Sequence, residues 1–164
     1  MKNISLRPFA DSDIPLFTEW LNKPYIQKWY DPIDEWIEEV KNCDSTFSWI
    51  SHFIVMCKDV PIGFCQYYDC FDSQNFEDWN GRKFENRGEI YSIDYLIGNE
   101  KFLGKGYGKE LIRLLTDMVF ELGAKEIIVD PDKENASSNG VLLANGYHFC
   151  EEYEFYKKYS FLNL

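Results

Sequence analysis

Leu103-Gly104-Lys105-Gly106-Tyr107-Gly108 places three glycines in five positions, which leaves its backbone nearly bare of side chains. Bare amides at the start of a helix can wrap a phosphate, and the helix dipole adds partial positive charge there. The chemistry this suits is the binding of a phosphate-bearing ligand; a plain tight turn is the bland alternative. A second chemical feature is Asp94, a carboxylate within an otherwise apolar run that shares alternate positions with Ile90, Ser92 and Leu96. An unpaired charge buried there is costly. Asp94 is therefore a candidate for holding an ammonium and accepting its proton, against the alternative of an aspartate facing solvent. A third feature is a cluster of acids, Asp69, Asp72, Glu77, Asp78, Glu85 and Glu89, interleaved with Tyr67, Tyr68, Phe71, Phe76, Trp79 and Phe84. A smaller group of the same kind holds Trp29, Tyr30, Asp31, Asp34, Glu35 and Trp36. Carboxylates pair with ammonium groups, and aromatic faces stack on sugars and attract cations. One or both groups are candidates to line a pocket for a polyamine or an aminosugar. The alternative is that the rings fill core and the acids are solvated.

Elements must position these groups. Glu89 to Ile97 reads as a strand, with Tyr91, Ile93, Tyr95 and Ile97 on one face. After the glycine run, Leu111, Leu114, Leu115, Met118, Val119 and Leu122 recur at helical spacing, and Gly123 stops the helix. Ile127-Ile128-Val129 reads as a buried parallel strand. The order strand, glycine loop, helix, strand is a crossover unit. Upstream, Ile4 to Pro8 reads as a strand, and Asp11 or Ser12 is expected to cap a helix ending near Leu21. Pro32 opens a helix to about Lys41. Trp49 to Cys57 and Val60 to Tyr68 form a hairpin around Lys58-Asp59. The acidic segment then reads as a long functional loop or an extended hairpin. A helix from about Ala136 to Asn145 and one or two strands from Tyr147 close the chain. There is no repeat and no linker, so a single α/β domain over residues 1–164 is expected.

The glycines at 104, 106 and 108 fit neither the P-loop, which needs a hydroxyl after its lysine, nor the dinucleotide fingerprint. Gly106-Tyr107-Gly108 matches instead the second half of the pyrophosphate loop, Arg/Gln-x-x-Gly-x-Gly/Ala, of the GNAT superfamily of N-acetyltransferases. Leu103 stands where Arg or Gln is usual. Asp130-Pro131-Asp132-Lys133-Glu134-Asn135, ending at Asn145-Gly146-Tyr147, resembles the Asn…Ala…Gly-Phe segment of that family. With Ile93-Asp94 on the fourth strand, Gly104-Lys105-Gly106-Tyr107-Gly108 and Asp130-Pro131 after the fifth, the chain looks most like aminoglycoside 6'-N-acetyltransferases. The resemblance spans Ile4 to about Phe155.

It implies a GNAT fold: a central mixed, mostly antiparallel sheet flanked by helices, with splayed fourth and fifth strands. It implies acetyl-CoA as cosubstrate and no metal. Leu103, Gly104, Lys105, Gly106, Tyr107, Gly108 and Lys109 would hold the pyrophosphate, with Tyr95, Leu96 and Ile97 along the pantetheine. The Leu96 amide would donate to the thioester oxygen, and Asn135 would bind the pantetheine arm or cap its helix. Asp94 would serve the acceptor amine as catalytic carboxylate. Acceptor contacts would come from Trp29, Tyr30, Asp31, Tyr67, Asp69, Glu77, Asp78, Trp79, Asp94 and Asp130; Asp130 has a turn-capping alternative. Leu142 replaces the tyrosine that many members use to protonate the departing thiolate, so no general acid is assigned.

Composition bounds the function further. A net charge of −11 and a pI near 4.6 argue against nucleic acid and suit a small cationic substrate, with general solubility as the alternative reading. No apolar run is long enough to cross a membrane. Met1-Lys2-Asn3 shows no secretory signal, and five cysteines without metal spacing read as reduced packing residues. A cytoplasmic monomer or homodimer is expected. The alternatives are an acetyltransferase of another amine (a polyamine, a siderophore precursor, a protein N-terminus) and a non-catalytic acyl-CoA-binding module.

Overall fold

The structure, a computed structural model, describes residues 2–161, so Met1 of the expected leaderless start lies outside it. Two compact units interleave along the chain. The first runs up to Gln66 and resumes over Tyr95–Leu111; the second comprises Tyr67–Asp94 and the chain from Ile112 onward.

The first unit opens with β1 (Ser5–Pro8), a 3-10 turn (Asp11–Asp13), α1 (Ile14–Leu21), α2 (Pro24–Tyr30) and α3 (Ile33–Lys41). Then come β2 (Ile50–Cys57) and most of β3 (Val60–Asp69). The last residues of β4 (Ile90–Ile97), a 3-10 turn (Glu100–Phe102) and the start of α5 (Tyr107–Glu121) complete it. The acid that organises the entry to α1 is Asp13 rather than Asp11 or Ser12. Its carboxylate forks onto Arg7 at 2.7 and 2.8 Å and accepts the Ala10 amide at 2.8 Å. The sequence reading passed over α2, whose Pro24 fits a first helical turn because that turn needs no amide donor. Phe17, Trp20, Leu21, Ile26, Val40, Ile54, Phe64 and Leu96 form this unit's core. Phe17 stacks on Phe64 at 4.1 Å between ring centroids. Gly98 is required by closeness, because a Cβ there would enter the Trp20 ring. His52 is buried against Phe9 and Phe64. Burial pulls its pKa down to about 4, which keeps it neutral at ordinary pH.

The second unit holds the end of β3, a short α4 (Cys70–Ser73), most of β4 and α5, then β5 (Glu126–Val129) and α6 (Ala136–Ala144). The strands β6 (His148–Cys150) and β7 (Phe155–Tyr159) close it. The order across the sheet is β1-β2-β3-β4-β5-β7-β6. β1 and β2, β5 and β7, and β6 and β7 pair antiparallel, whereas β4 and β5 are parallel. The parallel register covers Ile90–Ser92 against Glu126–Ile128, and β4 continues well beyond it to Ile97. Gly123 (φ 101°) ends α5 as expected. The buried face of α5 is rotated from the expected stripe: Leu111, Ile112, Leu115, Thr116 and Val119 are buried, and Leu122 is exposed.

Residues 70–89 are better anchored than a loop. Trp79 is buried, with Phe84 and Phe155 edge-on to it, and its indole N–H donates to the Ser73 hydroxyl at 3.0 Å. Arg82 forks onto the buried carboxylate of Glu126 at 2.7 and 2.8 Å and lies over the rings of Phe84, Tyr153 and Phe155.

Candidate active site

In the first unit the glycine run links the Glu100–Phe102 turn to α5. Gly104 and Gly106 adopt φ of 69° and 87°, a backbone that side-chain-bearing residues rarely take. The Glu110 amide bonds back to the Gly106 carbonyl, while the amides of Tyr107, Gly108 and Lys109 belong to the first turn, which has no intrahelical acceptors for them. A Cβ at Gly104 or Gly108 would meet open space, so nothing on the protein side crowds the loop. Lys2 places its ammonium 5.1 Å from the centre of the Tyr107 ring. Lys105 and Lys109 are exposed, as is Leu103.

The C-terminal half of β4 lies next to this loop in the chain. The Glu89 carbonyl accepts from β5-side amides (Lys125 at 2.8 Å, Glu126 at 3.2 Å), whereas the Gly98 amide donates to Ile62 of β3 at 2.8 Å. The Asn99 amide donates to the same Ile62 carbonyl at 3.1 Å, so two residues face one and the pairing ends in a bulge. Within a strand, successive residues turn their backbone groups to opposite edges. The Leu96 carbonyl faces β3, where it would collide with a Cβ on Gly63. The carbonyls of Tyr95 and Ile97 accept hydroxyls from α2: Tyr30 on Tyr95, and Tyr25 on Ile97 at 2.8 Å.

The second unit gathers acids. Tyr68, buried at the end of β3, lies 3.3 Å from the Glu77 carboxylate, and Asp94 and Asp130 add their charges to the same region. Desolvation, reinforced by Asp94 and then Asp130, pushes the Glu77 pKa up to about 7, although a hydrogen bond from Tyr68 opposes the rise. Burial, then the charges of Asp94 and Glu77, hold the Tyr68 phenol well above its ordinary range. Desolvation also raises Asp130, with Lys133 opposing. Asp94 itself is half-buried on β4.

The other expected contacts sort by what their polar atoms already do. Asp69 accepts the amides of Phe71 (3.0 Å) and Gly88 (2.6 Å), pinning both ends of the 70–89 segment. Trp79 is core, for the reason given above, and not a surface for a sugar. Asp78 accepts the Gly81 amide at 3.2 Å and is exposed. Tyr67 is half-buried, its ring 6.1 Å from that of Tyr91. Trp29 is half-buried under the Lys28 ammonium, Tyr30 packs on Trp36 at 4.9 Å, and Asp31 is exposed. Asn135 caps α6 by accepting the Ser138 amide at 3.2 Å. The turn after β5 is closed by Asp132, which accepts the Glu134 amide at 2.9 Å, rather than by Asp130. Leu142 is fully buried. Tyr25 and Lys23 were not singled out, because nothing local distinguishes them; Tyr68 was named only as one aromatic of the acidic segment. Among the described residues no group of three or more His, Cys, Asp or Glu side chains is placed to hold a metal ion.

A mixed seven-stranded sheet flanked by helices, with a glycine loop opening the helix after its fourth strand, is the architecture of an acetyl-CoA-type acyltransferase. The family described as "Acetyltransferase (GNAT) domain" matches residues 10–155, and the chain belongs to that family of acetyltransferases. It is 27% identical over 144 residues to an aminoglycoside N(6')-acetyltransferase type 1 of Klebsiella pneumoniae, covering 81% of this chain and 68% of that protein. A Serratia marcescens protein of the same name matches to the same extent. Among solved structures, aminoglycoside acetyltransferase AAC(6')-Ib in complex with coenzyme A superposes with a TM-score of 0.77 at 22% identity, covering 96% of this chain and 95% of that one. An aminoglycoside N(6')-acetyltransferase of Legionella pneumophila gives 0.72 at 17% identity, with coverages of 96% and 91%. At these identities the structural likeness speaks to the fold alone. No helix among the described residues is long and apolar enough to cross a membrane.

Proposed function

We propose that the chain transfers acetyl from acetyl-CoA to a primary amine of a polycation, the 6'-amine of aminoglycosides being the acceptor its relatives' names point to. The observation that carries this reading is the group of acids around Tyr68: Glu77 is desolvated by burial, and the nearby charges of Asp94 and Asp130 raise its proton affinity further. Such a field attracts ammonium groups and is poorly suited to an anionic acceptor.

Asp94 holds the attacking ammonium and takes its proton, directly or through water. The freed amine adds to the thioester carbon, and a backbone amide of β4, that of Leu96 by the resemblance, stabilises the developing oxyanion. The C–N bond forms, the nitrogen gives up its second proton to solvent, the C–S bond breaks, and CoA departs as a thiolate. With a thiol pKa near 8.5, it takes its proton from solvent. Buried Leu142 offers none. The glycine loop and the α5 terminus hold the pyrophosphate.

Thiol release from acetyl-CoA, measured with kanamycin, tobramycin and neomycin beside spermidine and lysine derivatives, tests the reading. Turnover is expected with aminoglycosides bearing a free 6'-amine and lost when a hydroxyl replaces it. Asp94→Asn should lower kcat by about 100-fold or more. Turnover with spermidine alone would move the acceptor to polyamines, and acetyl-CoA binding without any acetylation would overturn the enzymatic reading for these acceptors.

A further inference from the structure

Of the glycines at 104, 106 and 108, Gly106 is the one with a side chain close by. A Cβ there would lie 3.9 Å from the Lys2 Cε, whereas one at Gly104 or Gly108 would meet nothing within 4 Å. The Lys2 ammonium stands 5.1 Å from the centre of the ring of Tyr107, the residue between Gly106 and Gly108. Strand register explains how a residue so distant in sequence arrives there. β1 pairs antiparallel with β2, with Ser5 opposite Met56, so the chain ahead of Ser5 runs on past Cys57, the last residue of β2. Cys57 also reaches the loop, its thiol donating to the Tyr107 hydroxyl at 3.8 Å. Phe102 packs edge-on to the same ring at 5.1 Å between centroids. The ring beneath Lys2 is thus held by two neighbours, and all of these residues belong to the first unit.

A cation resting on an aromatic face is attracted by the ring quadrupole and keeps its full charge, whereas a carboxylate partner would neutralise it. Among the described residues no carboxylate lies within ion-pair distance of Lys2. Leu103, at the head of the loop, is apolar and offers no side-chain donor. We propose that Lys2 is a further cofactor-binding residue: its ammonium, seated on Tyr107, takes a phosphoryl oxygen of the pyrophosphate of acetyl-CoA held at the glycine loop. The proposal rests on the acetyl-CoA reading above. It gives the residues ahead of β1 a part in binding, and it sets a positive charge where the net charge of −11 would otherwise repel a polyanion. The loop amides recognise the shape of the pyrophosphate, whereas Lys2 adds charge, so its contribution is the one that salt should screen.

Calorimetry on the full chain tests this with two ligands, CoA and 3'-dephospho-CoA, which keeps the pyrophosphate and lacks the ribose phosphate. The unaltered protein is expected to bind both. Lys2→Gln, a change at an exposed residue ahead of the first strand, should weaken both by about tenfold at low salt, the worth of one hydrogen bond to a charged group. Lys2→Arg should keep most of the affinity. The deficit of Lys2→Gln should shrink as salt rises from about 0.01 M to about 1 M, over which the screening length falls from about 30 Å to about 3 Å. A deficit for CoA alone would move Lys2 to the ribose phosphate and overturn the proposal. Unchanged affinity for both ligands would overturn it as well, and so would a deficit that salt does not touch, the mark of lost packing on Tyr107. If the unaltered protein binds neither ligand, the acetyl-CoA reading itself fails, an outcome distinct from a loss confined to the variant.

Discussion

Glu77 and Asp94 are both acids near Tyr68, yet they carry different expectations. Glu77, drawn up to about 7, binds a proton in the native state at pH values where an unfolded glutamate near 4.5 does not. Between those two values the folded chain holds more protons than the unfolded one, so this residue's contribution makes stability fall as pH rises. Glu77→Gln should flatten that slope and raise the melting temperature at pH 8 more than at pH 5, which a pair of thermal melts would show. The same substitution should weaken a polycationic acceptor and remove a limb near pH 7 from the kcat/KM profile. A melting temperature that shifts equally at both pH values would mean that Glu77 titrates as an ordinary surface acid.

At the scale of elements, the glycine loop depends on backbone shape more than on side chains. Gly106 sits at φ 87° with only the Lys2 side chain near where a Cβ would project. An alanine there meets little steric obstruction but costs about 1–2 kcal/mol in backbone strain, or forces the loop out of its curve. Gly106→Ala should therefore raise the KM for acetyl-CoA while leaving acceptor KM nearly unchanged, as steady-state kinetics with each substrate varied would reveal. The 70–89 segment is held in a different way, by the Arg82–Glu126 fork beneath aromatic rings and by Asp69 at its two ends. That anchoring explains how a segment so rich in acids can offer a fixed carboxylate such as Glu77. The helix α2 is the third positioned element, and its hydroxyls bear on the strand rather than on the acceptor.

For the molecule as a whole, the net charge of −11 acts on the two substrates in opposite senses. A cationic acceptor is drawn in and a polyanionic cofactor is repelled, except where lysines and helix amides offset the field locally. Added salt screens both effects over about 10 Å at 0.1 M. The KM for a polycationic acceptor should rise several-fold between low and moderate ionic strength, whereas that for acetyl-CoA should change less. A salt-independent acceptor KM would detach the acidity of the chain from its function.

Much of this was decided locally and could be read from the residues in order. Period-two apolar spacing marked β4, a continuous β-branched run marked β5, and the glycines at 104 and 106 required a backbone that only a special loop supplies. Gly123 marked the end of α5, and Asp94 stood out because its neighbours along the strand are apolar. Other facts depend on partners far apart in sequence, which no local spacing encodes. The α2 hydroxyls reach residues some 70 positions away, and Arg82 finds Glu126 across 44. Trp79 became core because Phe84 and Phe155 surround it, although its acidic neighbours suggested a binding surface. Glu77 emerged from six nearby acids only once Tyr68, Asp94 and Asp130 were brought to its side. Local periodicity specifies which elements form and which faces are apolar. Desolvation, register and long-range pairing, which set the chemistry of each group, exist only when the chain is folded.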